Sequence, residues 1–570
     1  MNNNVINLTT VLLLVVACTP IDGQQPEGRA ADLVFRAGNI YTVDTARSWA
    51  QAVAVTDGVI TYVGTNSGAQ RHIGTDTTVV DLKSRMMLPA FQDIHIHPVT
   101  SGMDALAVDL VDYDTVEEYV AAIKAYADQN PDEPWILGSG WSMAAFGPGA
   151  ITDRELIDAV VHDRPVYVRS ADGHTGWANS KALELAGINR DTPDPPNGII
   201  DRDPDTGEPV GSLQEAAMEL MAARIPPADL ETLTAGLQYS IGLLNSYGIT
   251  AIQSAFVYEP HLEAFRALDD LDQLSLRVVT ALIWNDERGE EQIDELKRLR
   301  NQYTKGRVRA TSVKFWQDGV MENFTAALLE PYIGKGDERG IAMLAPEALK
   351  SAVAKLDALG FQVHFHAIGD AAVRQCLDAV EHARNENGDL GHCHHISHLQ
   401  LIHPDDIPRF RELGVVANFQ PLWALADDYQ VELTMPYLGP ERSRWQYPIR
   451  SVQNAGGMIA FGSDWAVSTA NPFPQIETAV TRLGAFGETD QPFYPEERID
   501  LPSAIAAFTI NAAYVNNIDD VTGSVEVGKL ADLIVLDQNL FEVEQADISD
   551  TRVLLTLMEG KPVYGELSEF

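Results

Sequence analysis

The sequence predicts an α/β fold: a (β/α)8 TIM barrel with an α/β insertion after its first strand and a β-sandwich formed from both chain ends. Three observations support this fold class. Strand-like and helical segments alternate through the middle of the chain, which favours parallel βα units. The gap between the first two predicted barrel strands, residues 105–245, is too long for one helix and therefore holds an inserted unit. Strand-like segments joined by short turns occupy both chain ends.

Residues 1–28 are predicted to be a signal peptide or lipoprotein tether outside the folded domains. The apolar stretch at 5–17 is shorter than the ~20 residues that span a membrane and is typical of a signal peptide. The small residue before Cys18 resembles a bacterial lipobox, in which the cysteine is acylated. We expect an exported protein, periplasmic or anchored in the outer membrane through Cys18. The alternative is a cleaved signal with an incidental cysteine.

The composition indicates a globular protein with a strongly acidic surface. Of 570 residues, 45% are hydrophobic, and 82 acidic against 40 basic side chains give a formal net charge of −42. This charge disfavours nucleic acid and anionic membranes as partners. We therefore expect a small-molecule substrate, and membrane contact only through the lipid anchor; a homodimer stays open. Cys376 and Cys393 are most simply small buried hydrophobic residues, although one bridge between them also stays open.

The two chain ends, residues 29–88 and 517–570, are predicted to form one composite β-sandwich. Short strand-like segments follow one another from Asp32 to Leu88, and Asp57-Gly58 between two of them is a hairpin signal. A matching strand-like segment lies at 523–537. The sandwich therefore brackets the middle of the chain.

Residues 89–516 are predicted to form the barrel. Its eight strands are expected at 91–97, 249–254, 276–283, 310–316, 361–367, 393–398, 414–419 and 458–463. Helical segments such as 346–359 and 370–385 separate the later strands. The insertion has strand-like segments at 135–138 and 166–169 and helical segments at 155–161 and 180–186. In a barrel of this kind, catalytic groups collect at the carboxyl ends of the strands.

Those strand ends carry candidate metal ligands. The first strand ends at His95 and His97, and alternation along a strand points both imidazoles to one face. Later strand ends add His366, His398 and Asp464. Imidazole and carboxylate ligands suit zinc or a similar divalent metal, which lowers the pKa of its water towards ~7 in catalytic sites. Asp464 is the candidate base for that water.

The fourth and fifth strands carry two further candidates. Lys314 ends the fourth strand; as a carbamate it would offer two oxygens to bridge two metals, and otherwise it is a salt-bridged barrel lysine. His364 points to the same face as His366 and is expected to pack beside the site.

Taken together, these motifs resemble the amidohydrolase superfamily, and within it the branch that includes N-substituted formamide deformylase. The resemblance covers nearly the whole chain after the leader and depends on segments 88–97, 172–174, 313–319, 366–370, 396–398, 462–465 and 523–532. Two positions depart from the family pattern. Ala90 stands where glycine is usual after Leu-Pro, and Ser397 stands where an acid often precedes the sixth-strand histidine.

The resemblance implies a set of metal ligands and a loop over the barrel mouth. The implied ligands are His95, His97, His366, His398 and Asp464, with Lys314 added in two-metal members. One or two ions therefore stay open. In the implied loop, Asp172 and His174 contact the substrate, and His174 also binds a developing oxyanion; otherwise the loop is an ordinary turn.

Two further residues near strand ends, Trp316 and Gln420, are candidates for substrate binding. With Trp423 and Trp465 they are expected to form an aromatic pocket wall, or else part of the core.

The site and the resemblance together predict a metal-dependent hydrolase of a non-peptide carbon–nitrogen bond, in an amide, formamide or cyclic amide. Asp464 and His174 are the expected catalytic residues. A deaminase, or an ester or lactone hydrolase, would use the same site. A surface binding protein without activity is the alternative from another class.

Overall fold

The computed structural model describes residues 29–111 and 113–570. The predicted leader and Cys18 lie outside these residues, so export and lipidation stay predictions. Within the described residues, no helix combines the length and apolar character needed to cross a membrane. Both Cys376 and Cys393 are buried with free thiols, so the bridge left open by the sequence is absent.

The predicted (β/α)8 barrel is confirmed. Its eight parallel strands pair in chain order. They are β1 (Phe91–Ile96), β2 (Ile249–Val257), β3 (Arg277–Ile283), β4 (Val308–Trp316), β5 (Gln362–Ala367), β6 (His395–His398), β7 (Val416–Phe419) and β8 (Ile459–Phe461). Each lies within three residues of its predicted bounds at either end. Helices surround the strands and cover their outer faces, which are rich in Val, Ile, Leu and Phe.

The barrel helices and those of the connecting loops follow the predicted alternation. They are Pro98–Asp104, Leu230–Ser246, Glu259–Asp270, Ile293–Tyr303, Pro346–Ala358, Asp370–Asn387, Ile407–Leu413, Met435–Arg442, Ile449–Asn454, Pro472–Thr481, Leu501–Ala507 and Ile510–Val515. The helix Leu230–Ser246 falls within the range predicted for the insertion. It packs on Pro98–Asp104, where Ser240 Oγ donates to the Pro98 carbonyl at 2.6 Å, and so belongs to the helical ring.

The insertion is an α/β unit with one six-stranded sheet. In spatial order its strands are Gly198–Arg202, Pro209–Glu215, Thr175–Ala178, Val166–Ser170, Ile136–Trp141 and Val108–Asp109. Its helices are Val116–Gln129, Arg154–Asp158, Ser180–Ala186 and Ala217–Ala222. Trp141 and Trp177 share one buried cluster with Val320 and Met321, which follow β4. The insertion therefore packs over the end of the barrel where the site residues lie.

The chain ends form the predicted sandwich of two sheets. One sheet contains Val59–Gly64, Ala52–Thr56, Leu33–Arg36 and Thr78–Asp81. The other contains Lys561–Tyr564, Val553–Met558, Leu533–Leu536, Met86–Pro89, Asn39–Tyr41 and Trp49–Ala50. The predicted turn at Asp57-Gly58 joins two of these strands, and both residues have positive φ, at 51° and 79°. Phe35 and Val53 of one sheet meet Leu533 and Leu555 of the other in a shared core.

Asp532 connects this sandwich to the amino-terminal end of the barrel. Its carboxylate is fully buried and accepts from Arg277 at the start of β3, from Thr522 Oγ1 at 2.9 Å and from the Glu559 amide at 2.8 Å. A buried carboxylate with a charged partner and two neutral donors is fully compensated. Its loss would leave the Arg277 guanidinium, itself mostly buried, without that partner.

We expect Asp532→Ala to lower the free energy of unfolding by ~3 kcal/mol, because it removes the buried acceptor of the Thr522 hydroxyl and the Glu559 amide and leaves Arg277 paired with Glu559 alone in the described chain. The midpoint of thermal unfolding should fall accordingly. The matched control is Asp294→Ala, which removes an exposed pair with Lys297 and should change stability by less than ~0.5 kcal/mol. Equal thermal midpoints for the two variants would contradict the proposed role of Asp532.

Candidate metal centre

Three predicted ligands meet where β1 and β8 end. His95 Nε2 lies 3.5 Å and His97 Nε2 lies 3.0 Å from Asp464 Oδ1. One donor atom from each of the three residues falls within 4.8 Å of the other two. The grouping arises because His95 and His97 alternate to one face of β1, while Asp464 follows the neighbouring strand β8.

This group has the chemistry of a metal site. Asp464 Oδ1 is buried and, among the described residues, has no hydrogen-bond donor of suitable alignment, although His97 Nε2 is close to it. A buried carboxylate oxygen without a donor is costly unless something positively charged binds it. Two imidazoles and a carboxylate form a donor set that suits a divalent metal. The residues present therefore fit the metal that the sequence predicts.

The other predicted ligands surround this group at slightly greater distance. Lys314 Nζ lies 3.4 Å from His95 Nε2. His398 Nδ1 lies 3.8 Å from Asp464 Oδ2, and the His398 ring centre is 4.5 Å from that of His366. All six side chains are thus assembled at one end of the barrel, as their strand-end positions suggest.

Burial keeps His95, His366 and His398 neutral. It lowers the pKa of His95 and of His366 well below the ordinary value, and that of His398 to about 3. Burial alone would raise the pKa of Asp464, but the neighbouring His97, His398 and Lys314 outweigh it and lower that pKa. At neutral pH the site therefore presents imidazole lone pairs and a carboxylate, the forms that bind a cation.

Lys314 is buried and forms no ion pair with any carboxylate in the described part of the chain. Burial lowers the pKa of its amine to about 7, and Asp464 offsets only part of this effect. The amine is therefore substantially uncharged near neutral pH, which is unusual for lysine.

Hydrogen bonds behind the cluster fix the orientation of two rings. His95 Nδ1 is 2.8 Å from His364 Nε2, which also contacts Ser397 Oγ at 2.9 Å. His398 Nδ1 is 2.9 Å from Gln420 Oε1. Gln420, which is predicted to bind substrate, thus contacts His398. It is the hydrogen-bond partner of the His398 imidazole, whereas Ser397 contacts His364. Such partners set the tautomer and direction of a ligating imidazole.

Asp93 is a residue that the sequence analysis missed. Its buried carboxylate accepts from the His95 amide at 3.1 Å and the Ser463 amide at 3.0 Å, joining β1 to the segment after β8. Burial raises its pKa to about 7. Asp93 shares strand parity with His95 and His97, so alternation could have revealed that it points inward.

The 172–174 loop of the insertion reaches this end of the barrel. The His174 ring centre lies 4.8 Å from Trp316 and 5.3 Å from His366. Asp172 Oδ1 accepts from the His174 amide at 2.8 Å and from Ser170 Oγ at 2.7 Å, so it shapes the turn that presents His174. Its other oxygen is buried and has no partner within the described residues.

Glu215 is the second residue that the sequence analysis missed. Both of its carboxylate oxygens lie 3.0 Å from His174 Nδ1. Burial would lower the pKa of His174, but Glu215 outweighs burial and raises it to about 9. His174 therefore carries a proton on both nitrogens at neutral pH. No sequence motif marks Glu215.

Aromatic rings line the same end of the barrel. Trp316 packs against Phe256 with ring centres 5.3 Å apart. Trp423 stacks on His398 at 5.4 Å with the rings nearly parallel. The Trp465 carbonyl accepts from the His97 amide at 3.2 Å.

His394 and His395 lie apart from the cluster and bond to Asp357 and Gln253, consistent with core histidines.

The chain belongs to the amidohydrolase family, whose sequence profile matches residues 78–564. It is 31% identical over 548 residues to Protein LONG AFTER FAR-RED 3 of Arabidopsis thaliana, covering 95% of this chain and 92% of that one. It is 26% identical over 546 residues to N-substituted formamide deformylase of Arthrobacter pascens, covering 93% and 97%. The predicted family is confirmed, and the protein is an enzyme of the amidohydrolase type.

Solved structures agree with the fold. A metal-dependent hydrolase from Pyrococcus horikoshii superposes with a TM-score of 0.72 and 25% sequence identity, covering 90% of this chain and 99% of that one. The barrel, the insertion and the terminal sheets therefore form an architecture that this relative shares almost completely.

We expect His97→Ala to weaken zinc binding to the chelator-treated protein by at least ~10–100-fold, a loss that even removal of a supporting partner can cause. Isothermal titration with zinc measures this. The control is His162→Ala, which removes an exposed histidine of the insertion and should leave the affinity unchanged. Equal zinc affinity in both variants would exclude His97 as a ligand.

Proposed function

We propose that this amidohydrolase cleaves a non-peptide carbon–nitrogen bond in an amide, formamide or cyclic amide, using a divalent metal held at the end of β1 and β8. The observation that carries the proposal is the buried Asp464 carboxylate facing His95 and His97 at 3.0–3.5 Å. The likeness to N-substituted formamide deformylase supports the choice of bond.

The ligands proposed for the metal are His95, His97 and Asp464, with His366, His398 and Lys314 within reach of the same space. Zinc suits these ligands best. When bound, such a metal makes water acidic and polarises a carbonyl oxygen.

Asp464 is the proposed proton carrier. Its lowered pKa keeps it ionised at neutral pH, so it can accept a proton from the water that attacks the carbonyl carbon. As the carbon–nitrogen bond breaks, the same oxygen returns the proton to the leaving nitrogen. The water oxygen stays on the acyl carbon, and an acid and an amine are released.

His174 is the proposed donor to the carbonyl oxygen. Its Nδ1 is held by Glu215, and its ring lies beside Trp316 and His366. A protonated imidazole in a buried site stabilises negative charge on oxygen more effectively than it would in water. Trp316 offers an apolar surface for the rest of the substrate.

We expect the zinc-loaded protein to release amine or ammonia from a panel of N-substituted formamides, other amides and cyclic amides, and to lose this activity with chelator. Asp464→Asn should reduce kcat by ~10²–10⁴-fold because it removes the proton carrier. Product analysis across the panel and kinetics of the variant measure both effects.

The control is Asp428→Asn, an exposed carboxylate after β7 whose loss should not change kcat. Normal turnover by Asp464→Asn would exclude the proton role. Release of alcohol from esters without amine from any amide would favour an ester or lactone hydrolase. Ammonia released only from ring amino groups would favour a deaminase. No turnover of any amide in the panel by the zinc-loaded protein would contradict the proposed carbon–nitrogen bond cleavage.

We further propose that Lys314 is carbamylated in the metal-loaded enzyme. Its uncharged, buried amine lies 3.4 Å from a ligand histidine and has no carboxylate ion-pair partner in the described chain. Attack of the amine on carbon dioxide forms a carbon–nitrogen bond and releases a proton. The product is a carbamate, whose two oxygens come from carbon dioxide and suit a cation.

With carbon-13 bicarbonate and zinc, we expect a labelled carbamate in the wild type and in Lys305→Met, but not in Lys314→Met. Labelling should be faster above the Lys314 pKa of about 7 than below it, because only the neutral amine reacts. Carbon-13 NMR detects the carbamate. A signal that persists in Lys314→Met, or no signal in the zinc-loaded wild type, would contradict the proposal.

A further inference from the structure

Glu215 joins three side chains at the boundary between the insertion and the barrel. It ends the inserted strand Pro209–Glu215, and its side chain is almost fully buried. Besides His174 Nδ1, it accepts from Thr325 Oγ1 at 2.7 Å and from Asn323 Nδ2 at 3.5 Å. In the described chain, its only ion pair is with His174.

Thr325 and Asn323 belong to the loop that follows β4, and this loop is shaped to admit the Glu215 carboxylate. A Cβ atom on Gly319 would clash with Glu215 Oε1 and with Thr325 Oγ1, so only glycine allows this approach. Thr325 Oγ1 also accepts from the Val320 amide at 2.9 Å, which fixes the hydroxyl within its own loop.

The same loop is fixed to the strand that carries His366. The buried Asp318 carboxylate accepts from the Ala327, Ile368 and Gly369 amides at 2.8–2.9 Å. The Gly319 carbonyl lies 3.4 Å from His366 Nε2. Contacts therefore run from His174 through Glu215 and Thr325 to the β4 loop, and from there to His366, whose ring lies beside His174.

We propose that Glu215 is the positioning residue for His174, orienting a histidine of the insertion relative to the metal ligands of the barrel. This inference rests on the proposed function, in which His174 donates to the substrate carbonyl oxygen. Both oxygens of the Glu215 carboxylate contact His174 Nδ1, and these two contacts fix the plane of the imidazole ring. Nε2, the other nitrogen, has no hydrogen-bond partner within the described residues and is the one left to meet the substrate.

The competing explanation is that Glu215 only attaches the insertion to the β4 loop through Thr325. Glu215→Gln separates the two explanations. The glutamine keeps an oxygen that can accept a hydrogen bond from Thr325. It loses the negative charge and one of the two oxygens that contact His174 Nδ1. A purely structural tie would survive this substitution, whereas positioning of His174 would not.

We expect Glu215→Gln to lower kcat by ~10–100-fold while KM changes by less than ~3-fold, as for other residues that orient a reacting group. In a His174→Ala background, the same substitution should cost less than ~2-fold, because residues that act as a unit are not additive. The matched control is Glu208→Gln in the same hairpin. Its carboxylate is partly exposed and pairs with Arg190, so its loss should leave kcat unchanged. Thermal midpoints of all variants verify folding.

A second measurement does not depend on turnover. In protein labelled with nitrogen-15 histidine, the His174 signals are assigned by their loss in His174→Ala. We expect Glu215→Gln to shift the Nδ1 signal and to speed exchange of its proton with water, while Glu208→Gln leaves both unchanged.

Equal losses from Glu215→Gln with and without His174 would overturn the positioning role, as would unchanged His174 signals in Glu215→Gln. If the wild-type enzyme hydrolyses no amide, the proposed function fails, and the nitrogen-15 measurement still decides whether Glu215 orients His174. If Glu215→Gln does not fold, Thr325→Val serves as the second variant. It removes the shorter of the two hydrogen bonds from the β4 loop to Glu215, and unchanged His174 signals in that variant would likewise overturn the inference.

Discussion

Contact between β1 and β8 is the constraint on which the candidate centre depends, because it brings together ligands from distant parts of the sequence. The Asp464 amide donates to the His95 carbonyl at 2.8 Å, and Asp93 accepts from the Ser463 amide beside it. Gly462 permits this approach, since a Cβ there would lie 2.6 Å from the His95 amide nitrogen. If β8 did not lie beside β1 and close the barrel, His95 and His97 would be two histidines on an edge strand, far from Asp464.

Much of the fold and part of the site could be predicted, because they depend on short-range patterns. Strand alternation placed His95 and His97 on one face, and the rule that parallel strands end together brought in Asp464. The barrel strands were expected close to their actual bounds for the same reason: buried parallel strands are continuous apolar segments separated by helices. Asp93 points to the same face of β1 as His95 and His97, so the same alternation rule could have identified it.

Other features depend on tertiary contacts that no local pattern records. Glu215 meets His174 because the strands Thr175–Ala178 and Pro209–Glu215 are antiparallel neighbours in the inserted sheet, with Thr175 opposite Gln214. The place of that sheet over the barrel follows from the buried cluster that Trp141 and Trp177 share with Val320 and Met321. Gln420 likewise contacts His398 across two adjacent strand ends, a contact that sequence spacing alone does not predict.

The histidines of the barrel and His174 of the insertion have opposite protonation states, and electrostatics explains why they lie on different structural units. Deep burial suits the proposed metal ligands, because it lowers the pKa of His95, His366 and His398 and keeps their lone pairs available. The same burial would remove the proton from a histidine meant to donate to an oxyanion. Such a donor needs its own carboxylate, placed away from the metal ligands so that it does not bind the cation itself. Glu215 lies on the insertion, and in the described chain its only ion pair is with His174, so it meets both requirements.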